Sequence, residues 1–517
     1  MSTHHVFTTQ YASSIVSTLH CPDRVIFKGY LPFFRDGDLH NLADYGLRIR
    51  RMDFLKYLEE RSDELIAHAK RSAEETGATY RFVTGPHSKE ELVRAEIVQR
   101  KLTEGLVMVL CVMETCRGVK LKHGKNRPTL AFTNRPQRVV YYYYLDAEFG
   151  LMHVRIQTFF PYVVSVYVNG HDWVARQMAK KGLKFQQTDN AFTQLDDPRQ
   201  AQRLADRFVR LNWVKVLDRF VRRVHPVLQQ PWLRGHSYYW VIDQAEYSTD
   251  VLFRDRPALQ AIFPQLVEHA LLQFSADDVL KFLGRKLVPQ FDGEVLTLVR
   301  HQRVPGTRVK HRMKGNWLKM YDKFGVILRI ETVIHQAREF HVRKRCRRQG
   351  KRVTRWCPMT KGVSNFYRYR EVSRAANERY LNALANAPVS ARTTTTQDLD
   401  RLSRPVRYKK RQRRGLNLMQ EEEQRLFLAV LLGNNRINGF RNRDVTDRLF
   451  AATKDPAVHR RRMHRTTRLL QLLRAHRLIR KVPRSQRYQI TVLGDRYMTT
   501  AIRIRVKEFP KETPCAA

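Results

Sequence analysis

Lysine and arginine outnumber aspartate and glutamate by 95 to 49 in this chain of 517 residues, a formal charge of +46. Self-repulsion on that scale opposes compaction unless a polyanion or dispersed counterions offset it, and nucleic acid is the commonest polyanion in a cell. The charge does not displace a core, because 43% of the residues are hydrophobic and 10% aromatic, more than a disordered polycation carries. A folded nucleic-acid-binding protein is therefore expected. DNA is the first partner, and RNA stays open because phosphate attraction does not separate the two. The length implies roughly three domains.

Several classes fall away. The start, MSTHHVFTTQYASS, has no basic segment followed by an apolar one, and no apolar run approaches the roughly eighteen residues of a membrane span. A cytoplasmic protein without a membrane partner is expected. The cysteines are few and scattered, and Cys111 and Cys116, a C-x4-C pair, have no second pair close by. Zinc is not expected. There is no G-x-x-x-x-G-K-[ST], so no nucleotide cofactor or ATP-driven motor is expected; G-x-S-x-G and a strand-borne H-x-H are also lacking.

Periodicity predicts an α+β, multidomain chain, with a mixed or antiparallel sheet body and a C-terminal winged helix-turn-helix domain. Residues 1–137 read as an N-terminal α/β region, with a strand at RVIFK (24–28), a helix over 52–76 and a central strand at 105–112. A basic loop at 121–138 follows. Residues 138–300 read as a central α+β domain: a meander of three strands, helices at 171–181 and 198–224, and the strand YYWVID (238–243) leading into an acidic turn. Residues 301–387 form a basic β-ribbon and a helix, and 388–415 a basic linker. In the ribbon Arg308, Lys310, Arg312 and Lys314 alternate with smaller or apolar residues, so one face packs and the other is positive. Lys319 and Lys323 extend the positive character. The run from Arg343 to Arg355, including Arg343, Lys344, Arg345, Arg347 and Arg348, contains no acid.

Residues 416–510 carry the clearest signal: three helices, a short ribbon and a last helix, with Asn442 expected to cap the second. Arginines load the first half of the third helix and leucines the second half. The pattern resembles winged-helix domains, whose third helix enters the major groove. Arg461, Arg465 and Arg468 are the expected groove contacts, and Arg484 and Arg487 in the wing the expected phosphate contacts.

A regulator needs little more than such a domain, and some 400 residues precede it. Carboxylates at strand ends suit Mg2+-assisted phosphodiester chemistry, because hard oxygen ligands hold ions that clamp the attacking and leaving oxygens. Asp146 ends one strand; Asp243, Glu246 and Asp250 cluster in DQAEYSTD; Glu331 sits in RIET. Asp146 and Asp243 are the expected metal ligands. Acids among 95 cations are also natural salt-bridge partners. Tyr321, amid Lys314, Lys319, Lys323 and Arg329, is a candidate nucleophile for a phosphotyrosyl link, or else a packed ring whose hydroxyl meets phosphate or Asp322.

The segments DRVIFKG (23–29), LDAEFGLMHVRIQTFFP (145–161), YYWVIDQAEYSTDVLF (238–253) and RVKHRMKGNWLKMYDKFGVILRIET (308–332), with its YDK...LRIE pattern, together with the C-terminal domain, resemble a family of largely uncharacterised, mobile-element-like bacterial proteins. The resemblance implies a transposase-like role and carries over no catalytic residue. Two alternatives stay open: a rolling-circle-type replication initiator using Tyr321, and a non-enzymatic DNA- or RNA-binding protein or transcriptional regulator. Oligomerisation is compatible with all three.

Overall fold

A computed structural model describes residues 6–508 apart from 34–35, 86–87, 123–127, 286–292, 302–306, 349–350, 386, 388–395, 410, 419, 433–434, 436–438, 454 and 484. The chain is α+β, built on one large mixed sheet. Its strands are β1 (Ile15–Tyr30), β2 (Thr79–Val83), β3 (Gly105–Lys122), β4 (Thr129–Asp146), β5 (Gly150–Gln157), β6 (Val164–Asn169), β9 (Tyr239–Phe253), β10 (Val295–His301), β11 (Thr307–Met313), β12 (Asn316–Lys323) and β13 (Ile327–Ile334). They lie in the order β10-β11-β12-β13-β9-β1-β6-β5-β4-β3-β2. Among the described strands only the β2–β3 pair is parallel. Two-stranded ribbons complete the described strands: β7 (Phe185–Thr188) with β8 (Ala191–Leu195), β14 (His341–Arg348) with β15 (Lys351–Pro358), β16 (Val406–Tyr408) with β17 (Arg411–Arg413), and β18 (Ile479–Lys481) with β19 (Tyr488–Ile490).

Helices cover the sheet because their apolar residues recur at helical spacing. Phe54, Leu58, Leu65, Ile66, Ala69 and Ala73 are buried along helix Phe54–Glu75, and Ala201, Leu204, Ala205 and Phe208 along Pro198–Phe208. The single helix expected over 198–224 is two. Asn212 caps the second by accepting from the Lys215 amide, and the Trp213 indole donates to the Phe208 carbonyl at the break. Helix Phe366–Leu384 crosses β9 and β13, and Tyr380, Leu381 and Leu384 join Val309, Leu318, Met320, Leu328 and Ile330 in one core.

The expected strands are there, but longer and more connected. β1 is 16 residues long, continuing through Pro22 by way of a bulge. β3 and β4 extend into the segment read as a loop, with Pro136 opposite Thr115, and β3 lies next to the edge strand rather than at the centre. The acidic turn after Asp243 is instead the interior of β9. The expected boundary at 137/138 falls inside β4, and that at 300/301 inside β10, so three expected regions share a sheet. The expected linker holds helix Thr396–Ser403 and the β16–β17 ribbon, and Leu402 and Leu416 pack with Leu426, Phe427, Leu470 and Leu473 of the C-terminal region. That region comprises helices Glu421–Leu431, Asn442–Leu449 and Pro456–Ala475, the β18–β19 ribbon and helix Val492–Glu508. Arg441, not Asn442, is the capping residue; Asn442 reaches the Met463 carbonyl and the Thr467 hydroxyl. Among the described residues no helix is long and apolar enough to cross a membrane.

Candidate active site

At the join between β1 and β9 the ladder steps out of register, so that Asp23 and Arg24 together oppose Glu246 between the pairs Pro22–Tyr247 and Val25–Ala245. Such a bulge bends its strand and re-aims a side chain. The start of helix Gly170–Lys180 presses on the same place: a Cβ at Gly170 would lie 2.0 Å from the Pro22 carbonyl oxygen, so only glycine permits the approach. The approach sets Asn169 and His171 against Asp23.

Asp23, 1% exposed, accepts from Asn190 Nδ2 at both oxygens (2.7 and 2.8 Å) and from Asn169 Nδ2 (3.2 Å). His171 lies between two carboxylates, its Nδ1 3.2 Å from Asp23 and its Nε2 3.4 Å from Asp250. The fully buried Arg329 donates from Nε and Nη2 to Asp250 at 2.6 Å each, from Nη2 to the Asn190 carbonyl at 2.6 Å, and from Nη1 to Asp23 at 3.4 Å. Bidentate, charge-assisted pairing of this kind keeps buried carboxylates ionised. Burial alone would raise Asp250, but the Arg329 charge and the His171 contact hold it at about 2. Asp23, also buried, is held far below the usual carboxylate range by His171 and Arg329.

Asp23 is also one of three carboxylates, with Glu246 and Glu331, whose oxygens lie within 4.8 Å of one another. They face a cavity of about 240 Å3 also lined by Asp189, Asn190, Phe324, Arg24, Arg308, Lys319, Lys323 and Tyr321. Glu331 and Lys319 are cross-strand partners in register and form a short ion pair, and the same ammonium lies 3.6 Å from Glu246. The Tyr321 hydroxyl donates to Glu331 at 2.7 Å. Burial disfavours the charge on Glu331, yet Lys319 lowers it below the ordinary value. Glu246 is pushed up to about 8, first by burial and then by the Glu331 charge. Burial and the Glu331 charge raise Tyr321 well above the ordinary phenol. Lys323 donates to Asp189 (3.0 Å) and, closely, to Asn190, tying the β7–β8 turn over the cavity.

Three oxygens around an octahedral Mg2+ sit about 2.1 Å from the ion, with neighbouring oxygens about 3.0 Å apart and at most one opposed pair about 4.2 Å apart, so the triad, whose oxygens lie within 4.8 Å of one another, would close by up to about 2 Å to hold one. The donor set, all carboxylate oxygen, suits Mg2+ or Mn2+ and not a soft metal. The ammoniums and guanidiniums around it suit the oxygens of a phosphoryl group.

Of the expected catalytic residues, Glu331 and Tyr321 meet in this cavity and Asp250 braces it through Arg329 and His171. Asp146 and Asp243 do not meet. Asp146 accepts from the Glu148 and Phe149 amides, shaping the β4–β5 turn. Asp243 pairs with Lys28 (2.8 Å) and Lys361 (3.2 Å); burial opposes its charge, and these lysines hold it below the usual range. β4 and β9 are four strand steps apart, about 19 Å at ~4.8 Å per step. The expected metal pairing of Asp146 with Asp243 is therefore corrected: no shared ion spans that gap. Asp23 lies immediately before the strand expected at 24–28 and beside a proline, where local pattern marks no site. Glu246 is present in DQAEYSTD, a run whose acidic, polar pattern points to a turn and not to a strand interior.

Among the expected nucleic-acid contacts, Arg308, Lys310 and Arg312 share the face of β11 opposite the buried Val309, His311 and Met313. Arg308 lies over the Tyr321 ring and Lys310 over Trp317, while Lys314 pairs with Glu339. Lys319 and Lys323 belong to the cavity. Arg343, Arg345 and Arg347 are exposed and Lys344 half-buried on β14; Arg348 ends that strand, and its side chain lies outside the described residues. Arg461, Arg465 and Arg468 are exposed on helix Pro456–Ala475, and Arg465 pairs with Glu422 at 2.7 Å. Arg487 is exposed beside β19, and Arg484 lies outside the described residues. No protein-family model, curated protein or solved structure matches the chain.

Proposed function

We propose that the protein binds nucleic acid and carries out divalent-metal-dependent phosphodiester cleavage or strand transfer at the Asp23–Glu246–Glu331 cavity. The observation that carries this reading is the convergence of three carboxylates from three adjacent strands on a cavity lined by four cations, in a chain of charge +46. Mg2+ supplies a Lewis acid for the scissile phosphate and lowers the pKa of a bound water. Asp23, Glu246 and Glu331 would hold it. Lys319, which now offsets the charge of Glu331 and Glu246, would be available to a phosphate oxygen once those carboxylates were neutralised, with Arg308 and Lys323 alongside. Arg329 and His171 position Asp23 from behind the cavity, and Asn190 positions it from the cavity wall. Binding is assigned to the basic face of β11, to β14–β15 and to the C-terminal region. The order helix–helix–helix–ribbon–helix there supports a winged-helix reading with Arg461, Arg465 and Arg468 toward a groove. The mobile-element, transposase-like role is the setting in which such chemistry fits.

A second reading rests on the 2.7 Å hydrogen bond from Tyr321 to Glu331, a nucleophile beside a base. The phenol oxygen would attack phosphorus, its proton would pass to Glu331, and the displaced sugar oxygen would leave, giving a phosphotyrosyl link.

The test is cleavage or joining of labelled single- and double-stranded DNA and RNA with Mg2+ or Mn2+, comparing wild type with Asp23→Asn, Glu331→Gln, Tyr321→Phe and, as a control outside the cavity, Asp243→Asn. Metal-dependent products lost about 100-fold or more in Asp23→Asn and Glu331→Gln, with binding and Asp243→Asn activity retained, are expected. A covalent adduct that disappears in Tyr321→Phe selects the second reading. Equal activity in all variants, or none in wild type, leaves the triad a buried ion network that braces the sheet.

A further inference from the structure

We infer that the β14–β15 hairpin is a contact surface for single-stranded nucleic acid, with the Trp356 indole stacking on an unpaired base and Arg343, Arg345 and Arg347 taking the neighbouring phosphates. The inference rests on the nucleic-acid reading above and adds to it the form of the strand and the residue that recognises it.

The hairpin is rooted in the core at its open end. Phe340, Val342 and Met359 are buried in the main core, an anchor that an otherwise marginal two-stranded ribbon needs. Beyond that root the register places Trp356 opposite Arg343 and Thr354 opposite Arg345, so these side chains and Arg347 share one face. All are exposed. From Arg343 to Arg355 the sequence has eight cations and no acid, so nothing on the ribbon repels a phosphate.

Trp356 is out of place on any account based on packing alone. The other five tryptophans are buried or half-buried, whereas Trp356 is 59% exposed, forgoing the burial that makes indole the largest apolar contributor to a core. Its ring is nevertheless oriented. The Arg368 guanidinium lies 5.0 Å from its centroid and is itself fixed by the His341 carbonyl (2.8 Å) and Glu371 (2.9 Å). A ring backed by a cation and flanked by arginines is a platform for a base. In a duplex the base faces are already stacked, so the partner that gains from the platform is an unpaired strand.

The test is fluorescence anisotropy on the full chain, using 20-nucleotide oligothymidylate, oligouridylate and a duplex hairpin, with wild type, Trp356→Ala and Trp356→Phe. Trp356→Ala is expected to weaken single-strand binding by about 5- to 150-fold, the worth of one stacked base. Duplex affinity and the salt slope should stay unchanged, since no phosphate contact is lost, and Trp356→Phe should recover most of the loss. The stronger of the two single strands identifies DNA or RNA as the partner. Unchanged single-strand affinity in Trp356→Ala, or an equal loss on the duplex, overturns the stacking inference alone. Wild type that binds none of the three probes overturns the nucleic-acid reading with it.

Discussion

Divalent-ion uptake at the cavity should expel a proton, and Glu246 should be its source. Asp23 and Glu331 are held below the usual carboxylate range and arrive ionised, while Glu246 is pushed up to about 8. A metal ligand must be deprotonated, so below that value binding carries the cost of removing the proton. About two units below, at pH 6, the cost is about 2.7 kcal/mol, or about 100-fold in affinity relative to the plateau above pH ~9. Calorimetric titration of Mn2+ into the full chain, in two buffers of different ionisation enthalpy, counts the protons: about one released at pH 6, about half at pH 8 and almost none at the plateau. Glu246→Gln should lower the plateau and flatten the profile. The apo protein carries the converse signature. Glu246 has an ordinary value of 4.5, so between that and about 8 the folded state holds a proton more than the unfolded one. Stability from this group should therefore fall as pH rises through that window, and saturating metal should offset the loss. Affinity independent of pH from 6 to 8, or uptake without proton release, would refute the reasoning.

Arg329→Met should cost about 3–5 kcal/mol in urea unfolding, because it strands Asp23 and Asp250 in the interior, and adding Asp250→Asn should restore part of the loss. Asp250 is held at about 2 against an ordinary 3.8, so its contribution is present above the ordinary value and lost as pH falls through about 2; Arg329→Met should move acid unfolding to higher pH. A C-terminal fragment beginning near residue 396 should be more stable than one beginning at 416 by about 1.5–3 kcal/mol, the burial of Leu402; equal thermal melts would contradict the docking of that segment. Arg465→Ala and Arg468→Ala should each weaken duplex binding by about 1–3 kcal/mol if they contact bases. Glu422→Gln should instead strengthen it, since it releases Arg465 from its ion pair; gel-shift titrations separate the two outcomes.

Alternation and helical spacing made most of the architecture legible. The strands over 139–170, the basic ribbon strands from 307 to 334 and the C-terminal helices lie close to where local pattern puts them, because each buries one face and periodicity records which. Local pattern failed where the partner that makes a segment possible lies far away in sequence. DQAEYSTD reads as a turn because a strand interior with buried acids is improbable by itself; 79 residues on, Arg329 supplies the guanidinium that allows Asp250 to stay charged there. Likewise nothing near Pro22 announces the bulge, which depends on Gly170 approaching from another element.

What the sequence determined by itself is the charge, the α+β periodicity and the residue types available for chemistry, including Glu331 and Tyr321, since each of these is a property of neighbours along the chain. Which carboxylates share a site was decided only by the order of strands in the sheet. Hydrogen-bond register placed β9 between β1 and β13, bringing Asp23, Glu246 and Glu331 within 4.8 Å of one another. The same order put Asp146 four strands from Asp243. Strand order depends on contacts hundreds of residues apart, and no local pattern carries it.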